Sequence, residues 1–215
     1  MPQRRTIGNY AAAVVLSPVL YSVRLWGDGP FPARYSIASP PLRPARMPTP
    51  TPSLGEQLLG QWQRVAGLPF GKRVFSWMVG RKAPYTQSVG GVFADIRLGF
   101  ARVELRDRRA IRNHLSSIHA VALVNVAEMT SGVALMTALP TGVRGIVTSL
   151  SIVYLKKARG TLTCTTTTHA PATITVPTPF DVVADITDGS GDLVAQATVQ
   201  WTLSPVPTKT SQPTS

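Results

Sequence analysis

One largely apolar stretch, residues 120–139, constrains the fold of this chain more than any other feature. A helical projection of the stretch carries apolar side chains on every side, so the helix it predicts must be enclosed by other elements. Pro140 and Gly142 then end the helix. Glu128 lies inside the stretch, and burial of a carboxylate costs free energy unless other groups compensate for it. The sequence therefore predicts a central helix in which Glu128 has a specific purpose.

Strand patterns occur on both sides of this helix. Before it, residues 88–107 alternate apolar and polar positions and predict one long strand, with a phase slip near Ala101 that indicates a bulge. After it come four runs rich in β-branched residues and separated by turn residues, at 145–160, 161–170, 180–189 and 192–204. The sequence DGSGD, residues 188–192, indicates a hairpin. We therefore expect an α+β fold in which a curved antiparallel sheet of five to six strands wraps around the long central helix.

An N-terminal helical segment, residues 54–83, precedes the predicted sheet. Ser53 and Glu56 have the Ser-x-x-Glu spacing of a capping box. Apolar residues follow at helical spacing, namely Leu58, Leu59, Trp62 and Val65. The second half of the segment is basic and aromatic, so a helix on a membrane surface is an alternative to packing against the domain. We expect the packed arrangement, because it is the commoner fate of such helices.

The folded domain is expected to span residues 84–204, with segments of little regular structure beyond it. Residues 1–53 are rich in proline and arginine and predict a poorly ordered leader, and residues 205–215 predict a disordered tail. The apolar run in the leader is short and interrupted by Pro18 and Arg24, so no stable membrane insertion is expected. A secretory signal, an organellar transit peptide, a dispensable leader and a start codon assigned too far upstream are alternative interpretations of this segment.

The net charge of +12 is concentrated before the predicted domain. Residues 1–83 contain eleven Lys or Arg and two acidic residues, whereas residues 84–204 contain ten Lys or Arg and eight acidic residues. Because the domain is only slightly basic and has no zinc-finger or helix-turn-helix pattern, we expect no nucleic-acid partner.

Cysteine and histidine usage limits the chemistry further. Cys164 is the only cysteine, which excludes an intrachain disulfide and a cysteine metal cluster, and we interpret it as a packing residue in a threonine-rich strand. A reducing compartment is favoured, which predicts a cytoplasmic protein, or an organellar one if residues 1–53 are a transit peptide. The three histidines lack metal-ligand spacing, so we expect no metal and no other cofactor.

Three polar residues at fixed spacing carry a family resemblance. Asn113, His119 and Glu128 match the Asn, His and acid positions of the hot-dog-fold thioesterases of the phenylacetate-pathway (PaaI-like) type, and YLKKARG, residues 154–160, is similar to a strand-end segment of that family. The chain also resembles an uncharacterised DUF4442-type subgroup, in which alanine follows the histidine. It departs from the wider motif at three usual glycines, where it has Ser116, Ala120 and Val121.

The resemblance implies a homodimer, with a dimer of dimers as an extension, in which helices pair and active sites lie at the interface. It also implies an acyl-CoA or acyl-carrier thioester as substrate. Helical geometry agrees with a shared site, because His119 and Glu128 are nine positions apart and lie on opposite sides of one helix, roughly 13 Å apart along its axis. If both residues serve one site, they come from different subunits.

The residues suggest specific roles in thioester hydrolysis. Glu128 would activate water, and the Ala120 N–H at the start of the helix would bind the oxygen that becomes negative. Asn113 would orient the thioester or the water, and His119 would bond near the carbonyl or hold the loop. Alternatives for these positions are a Glu128 at a solvated helix edge, an Asn113 that only forms a turn and a His119 that only begins the helix.

Further residues are candidates for substrate binding. Asn125 and Ser131, three positions either side of Glu128, would hold its carboxylate or a water, and Gly132 would leave room for substrate. A cluster of cations would grip the phosphates of coenzyme A or, alternatively, would only solvate a hairpin edge, and it consists of Lys156, Lys157 and Arg159. The leading hypothesis is a thioesterase, and its rival is a catalytically inactive hot-dog protein that binds acyl groups or serves as a structural dimer module.

Overall fold

The computed structural model describes residues 52–207. The predictions made for residues 1–51 and 208–215 lie outside this part of the chain. Its helices are α1 Leu54–Val65, α2 Gly71–Lys82, α3 Pro84–Val89 and α4 Ala120–Ala138, with a 3₁₀ turn at Arg109–Ile111. Its strands are β1 Val92–Arg97, β2 Phe100–Leu105, β3 Val143–Tyr154, β4 Leu162–Thr167, β5 Thr178–Thr187 and β6 Leu193–Pro205.

The six strands form one sheet in the order β1-β2-β4-β5-β6-β3, and every neighbouring pair is antiparallel. The long strand β3 lies at one edge of this sheet and β1 lies at the other. Helix α4 contacts every strand, which requires the sheet to curve around it. The architecture confirms the predicted hot-dog fold.

The strand pattern before α4 differs from its prediction. Residues 88–107 form the hairpin β1–β2 rather than one long strand, and Gly99 lies in the connecting turn with a φ of 66°. The phase slip at Ala101 therefore marks the return of the chain in β2. A bulge does occur, but it lies in β1 between Phe93 and Asp95. Leu98 is apolar and continues the alternation through the turn, although its side chain is 75% exposed in the structure.

Helix α4 forms the centre of the core. Val126, Ala127 and Ala134 are fully buried, and the alternate residues of β4 that face inward include Leu162 and Cys164. Among the described residues, α4 is the one helix long and apolar enough to cross a membrane, and most of it is buried inside this domain. Enclosure by the sheet explains its apolar composition without a bilayer.

The N-terminal helices pack beside β1 and α4. Ser53 and Glu56 form the predicted capping box, in which the Ser53 hydroxyl accepts from the Glu56 N–H at 3.1 Å and the Glu56 carboxylate accepts from the Ser53 N–H at 2.6 Å. An edge-to-face aromatic series connects α1, α2 and β1, with ring centroids 5.2 Å apart for Trp62–Phe75 and 5.7 Å apart for Phe75–Phe93. Buried aromatic pairs of this kind fix the two helices on the domain.

Candidate active site

A tight turn of residues 112–118 leads into α4, and Asn113 organises it. The Asn113 side-chain carbonyl accepts hydrogen bonds from the N–H groups of Leu115 at 2.9 Å and Ser117 at 3.2 Å. The Asn113 N–H donates to the Ser117 carbonyl at 2.8 Å. Ser116 has a φ of 54°, in the left-handed region that favours glycine. The glycine usual at this position of the motif is therefore explained by the turn, and Asn113 acts as a turn former.

An ion pair anchors this turn to the strand connection that follows β3. Arg112 Nε donates to Asp107 Oδ1 at 2.6 Å, and the Gly160 N–H donates to Asp107 Oδ2 at 3.2 Å. The hydrogen bond from Arg112 holds the pKa of the Asp107 carboxyl below its usual value, and the bond from Gly160 and the charge of Arg159 act in the same direction. Asp107 thereby ties the entrance of α4 to the YLKKARG segment.

His119 caps α4 and leaves one backbone donor free. Its Nδ1 accepts from the Val121 N–H at 3.1 Å, and its own N–H donates to the Ile111 carbonyl at 2.7 Å. The Ala122 and Leu123 N–H groups donate to the His119 carbonyl. Within the described chain, the Ala120 N–H is thus the only donor of the first turn without an acceptor. Neither Ala120 nor Val121 has a positive φ, so their backbone does not require glycine.

A shallow groove of about 260 Å³ brings four of the predicted residues together. Asn113 and Ala120 line it together with Lys156 and Lys157. Tyr154, at the end of β3, also lines the groove and donates from its hydroxyl to the Ala120 carbonyl at 3.3 Å. Burial raises the pKa of the Tyr154 hydroxyl, so that it remains a donor.

His119 faces a different groove, of about 270 Å³, which lies between α3 and the start of α4. Tyr85, Val89, Arg112 and Val121 are among its other lining residues. Ala120 and His119 therefore open onto two separate grooves, and within this part of the chain neither groove includes Glu128.

The three predicted cations have different surroundings. Lys156 pairs with Asp188 at 2.5 Å and Asp192 at 2.8 Å, and the hydrogen bond to Asp188, followed by that to Asp192, raises the pKa of its ammonium group. This pairing favours the alternative in which Lys156 belongs to a hairpin edge over the one in which it binds phosphate. Lys157 and Arg159 are exposed and form no ion pair with another described residue.

Glu128 is exposed on α4, although the helix is buried on most of its circumference. Val121 lies seven positions earlier on the same side and is 51% exposed. Glu128 forms no ion pair or side-chain hydrogen bond within residues 52–207. A strip of α4 around Val121 and Glu128 is therefore left uncovered by the rest of the described chain.

The three residues expected beside Glu128 lie elsewhere. Asn125 and Ser131 are buried, so they do not share the open strip, and the Ser131 hydroxyl donates to the Glu128 backbone carbonyl at 3.0 Å rather than to its carboxylate. A Cβ added at Gly132 would lie 3.3 Å from Cη2 of Trp201, so this glycine leaves room for the Trp201 ring instead of a substrate. Neither polar atom of the Asn125 amide has a partner among the described residues.

Cys164 is buried in the core, and burial raises the pKa of its thiol to about 12. A thiol with this pKa is not a nucleophile near neutral pH, which supports its interpretation as a packing residue. No cluster of three or more potential metal ligands occurs among the described residues.

Tyr154 and the pair Asp107–Arg112 are the residues of this site that sequence reasoning missed. The tyrosine was visible only as the first letter of YLKKARG, and its bond to Ala120 joins positions 34 apart in sequence. The spacing of Asp107 and Arg112 is compatible with many loops. Neither periodicity nor a sequence motif identifies these contacts, because they form only in the tertiary structure.

Residues 71–203 match the family described as a domain of unknown function, DUF4442. The chain belongs to the DUF4442 family. The match covers more than half of the sequence and all six strands of the sheet except the end of β6. A search of curated protein sequences gives no match.

Several solved structures share the fold of this DUF4442 chain. A structural-genomics target protein is 28% identical, with 72% of this chain and 100% of that chain covered and a TM-score of 0.62. PA5026 from Pseudomonas aeruginosa, described as a probable thioesterase of unknown function, is 18% identical over 60% of this chain and 91% of its own, with a TM-score of 0.54. The Haemophilus influenzae thioesterase HI1161 is 12% identical over 59% and 86% of the two chains, with a TM-score of 0.51.

Proposed function

We propose that this DUF4442 protein hydrolyses acyl-CoA or acyl-carrier thioesters with water activated by Glu128. The observation that carries the proposal is the combination of one unpaired N–H, that of Ala120 at the positive end of α4, with one exposed carboxylate, Glu128, on the same helix. An oxyanion donor and a general base are the two groups that acyl transfer to water needs. Structural neighbours described as thioesterases support the same class of reaction.

The two groups belong to different subunits in this proposal. Ala120 and Glu128 are eight positions apart, which corresponds to ~12 Å along a straight helix. One carbonyl group cannot contact both at that separation. A second copy that covers the open strip of α4 would bring its own Glu128 towards the first copy's helix entrance, and twofold symmetry would create two equivalent sites.

Strand β3 supports pairing of two copies. It is an edge strand of 12 residues, and Ile146 and Val153 on it are 53% and 62% exposed. A long edge strand with exposed apolar side chains is a template for another strand. Pairing through β3 would extend the sheet across a homodimer, and the open strip of α4 would gain a cover at the same time.

The reaction follows from these positions. The Glu128 carboxylate of one subunit takes a proton from water, and the resulting hydroxide oxygen bonds to the thioester carbonyl carbon. The carbonyl oxygen becomes negative and is held by the Ala120 N–H, which the positive end of the helix dipole assists. The carbon–sulfur bond then breaks, the electron pair leaves with sulfur, and the thiolate takes up the proton. The products are a carboxylic acid and a free thiol.

The substrate carrier would lie along the groove that contains Asn113, Tyr154 and Lys157. Lys157 and the nearby Arg159 are the cations left to contact phosphates, since Lys156 is paired with Asp188 and Asp192. In this arrangement Asn113 shapes the groove through its turn, and His119 keeps the helix entrance in place through its cap.

A second candidate function is an inactive hot-dog module that binds acyl groups or acts as a structural dimer. Val121 is the observation that favours it. Its side chain, where the wider motif has glycine, is 51% exposed on the same strip as Glu128 and takes up space there that a glycine would leave open. The backbone conformation does not decide between the two functions, since neither Ala120 nor Val121 requires glycine.

Release of free thiol from a panel of acyl-CoA esters tests the proposal. We expect turnover by the native protein and a loss of ~10²–10⁴-fold in kcat for Glu128→Gln, because a positioned general base contributes that much. Glu104→Gln, at an exposed glutamate on β2, is the matched control and should leave kcat unchanged. Light scattering must show that both variants keep the native oligomeric state. Full turnover by Glu128→Gln would refute the role of Glu128, and no turnover by native protein on any ester would favour the inactive module.

A further inference from the structure

Helix α2 presents a face to solvent that is both apolar and cationic. At ~100° per residue, Arg73, Val74, Trp77 and Arg81 lie within about 100° of one another around the helix, and all four are exposed. The opposite side of α2 carries Phe75, which is fully buried in the core. We use the term α2 face for these four residues and two exposed residues that precede the helix, Leu68 and Phe70.

The apolar part of this face has no cover within the described chain. Phe70 is 74% exposed and Trp77 is 52% exposed. Phe70 also has a φ of 61°, a left-handed conformation that bulky residues rarely adopt. Neither burial nor backbone conformation within the fold favours phenylalanine at this position. Contiguous exposed apolar side chains of this kind mark a surface that meets another apolar environment.

The cationic part of the face is not neutralised locally. Residues 52–91 contain five Lys or Arg and a single acid, Glu56. Arg73 and Arg81 form no ion pair within the described chain, and the guanidinium of Arg81 lies 5.2 Å from the centroid of the Trp77 ring. Tryptophan is suited to the headgroup level of a membrane, where arginine can contact lipid phosphates. An aromatic ring and a guanidinium side by side fit that boundary better than either would alone.

Charge complementarity selects the occupant of the face. A second copy seated symmetrically on it would place Arg73 and Arg81 against the same residues. The N-terminal residues 1–51 contain six arginines and one acid, so they carry the same sign of charge. We propose that the α2 face docks onto an anionic phospholipid bilayer, with Phe70 and Trp77 entering the headgroup region and Arg73 and Arg81 contacting lipid phosphates.

Vesicle co-sedimentation of the full chain tests the charged contacts. We expect binding to vesicles of phosphatidylcholine with phosphatidylglycerol, and little binding to phosphatidylcholine alone. Arg73→Glu/Arg81→Glu should lower the partition coefficient at least ~10-fold, because each cation near an anionic surface contributes about fivefold. The matched control is Arg102→Glu/Arg106→Glu, which changes the net charge equally at exposed arginines on β2 and directly after it and should bind like the native chain. Residues 1–51 are present in every variant. A difference in partition coefficient between the two double variants is therefore caused by the α2 face.

Quenching of tryptophan fluorescence by brominated phosphatidylglycerol tests the apolar contact. The measurement uses a Trp26→Phe background, which leaves three of the four tryptophans of the chain. We expect quenching that is largely lost when Trp77→Phe is added, because Trp62 and Trp201 are buried. Equal vesicle binding by the two Arg→Glu doubles would overturn the proposal. So would quenching that Trp77→Phe leaves unchanged, or binding to an acidic polypeptide such as polyglutamate without any binding to anionic vesicles.

Discussion

The entrance of α4 and the middle of α4 differ in how many of their polar groups find hydrogen-bond partners within one chain. At the entrance, Asn113, His119 and Tyr154 supply hydrogen bonds to the surrounding backbone, and in the first turn of the helix only the Ala120 N–H is left unpaired within the described chain. In the middle, Glu128 is exposed without a partner, and the buried Asn125 amide also has none among the described residues.

This difference shows which part of the site one chain can build by itself. The entrance is held in place by local turns and by contacts to the segment after β3, so it is preorganised before any partner arrives. The middle presents a carboxylate to an uncovered strip. Preorganised donors contribute most to catalysis when they do not rearrange during reaction, whereas a base can be supplied by a neighbouring subunit.

Ala120→Pro is the sharpest way to break the entrance without unfolding it. Proline is well accommodated at the first position of a helix, and the φ of −64° and ψ of 140° at His119 suit a residue before proline. The substitution replaces the free N–H by the ring carbons of proline and removes no hydrogen bond within the described chain. If that N–H binds the oxyanion, we expect kcat for thioester hydrolysis to fall ~10²–10³-fold. Ala120→Ser keeps the N–H and should keep most of the activity, so equal activity of the two variants would contradict the assignment.

Mixing two inactive variants tests whether the Ala120 N–H and the Glu128 carboxylate of one site come from different chains. Subunits of Glu128→Gln and Ala120→Pro, denatured together and refolded at equal amounts, should form mixed dimers with one intact and one doubly altered site. Random pairing then restores about a quarter of the native activity. Activity no greater than that of the unmixed variants would place both groups of each site in a single chain.

Asn125→Leu is expected to change stability rather than activity. Both polar atoms of this buried amide lack partners within the described chain, and an unpaired buried polar group costs about 1–3 kcal/mol. A leucine of similar size should therefore raise the free energy of unfolding by about that amount, measured by urea denaturation. A lower free energy of unfolding would show that the amide is paired in solution, for example by a buried water. Thr130→Val, which removes a hydroxyl that is already bonded to the Val126 carbonyl, provides the comparison and should give no such gain.

The architecture was predictable because its signals are local. Apolar residues on all sides of α4 required enclosure, and β-branched runs required strands, so the fold followed from periodicity. The hairpin β1–β2 was missed because the exposed Leu98 continues the apolar alternation through its turn. Only tertiary structure shows that Gly99 could not carry a Cβ, which would lie 2.2 Å from the Thr168 carbonyl oxygen.

The candidate site was less predictable, because burial and pairing depend on distant residues. Helical spacing places His119 and Glu128 apart on α4, but it does not say how wide the open strip of the helix is. Asn125 and Ser131 lie outside that strip, because both are buried. Lys156 is neutralised by Asp188 and Asp192, which are more than thirty positions away and come close only through the β5–β6 hairpin. Spacing within one element therefore identifies candidates, and contacts between elements decide among them.

His119→Ala tests the cap at the entrance and should have a smaller effect on stability. Loss of the Nδ1 acceptor leaves the Val121 N–H unpaired, and loss of an N-cap acceptor costs ~1 kcal/mol. His119→Asn supplies another acceptor at the same position and should recover most of that loss. Urea denaturation measures both. Equal destabilisation by alanine and asparagine would mean that the cap contributes little and that His119 stabilises the fold by another contact.

Ser116→Gly should have the smallest effect, and in the favourable direction. Ser116 has a φ of 54°, and a residue with a Cβ pays roughly 1–2 kcal/mol in that region. Glycine removes this strain but adds conformational entropy to the unfolded chain, so a net gain of up to about 1 kcal/mol in the free energy of unfolding is expected. Ser116→Ala, which retains the Cβ, should show no gain. The turn holds Asn113 in the groove that Ala120 also lines. A gain confined to glycine would therefore show that the motif's usual glycine favours the backbone conformation of this turn, which a chain with serine can still adopt.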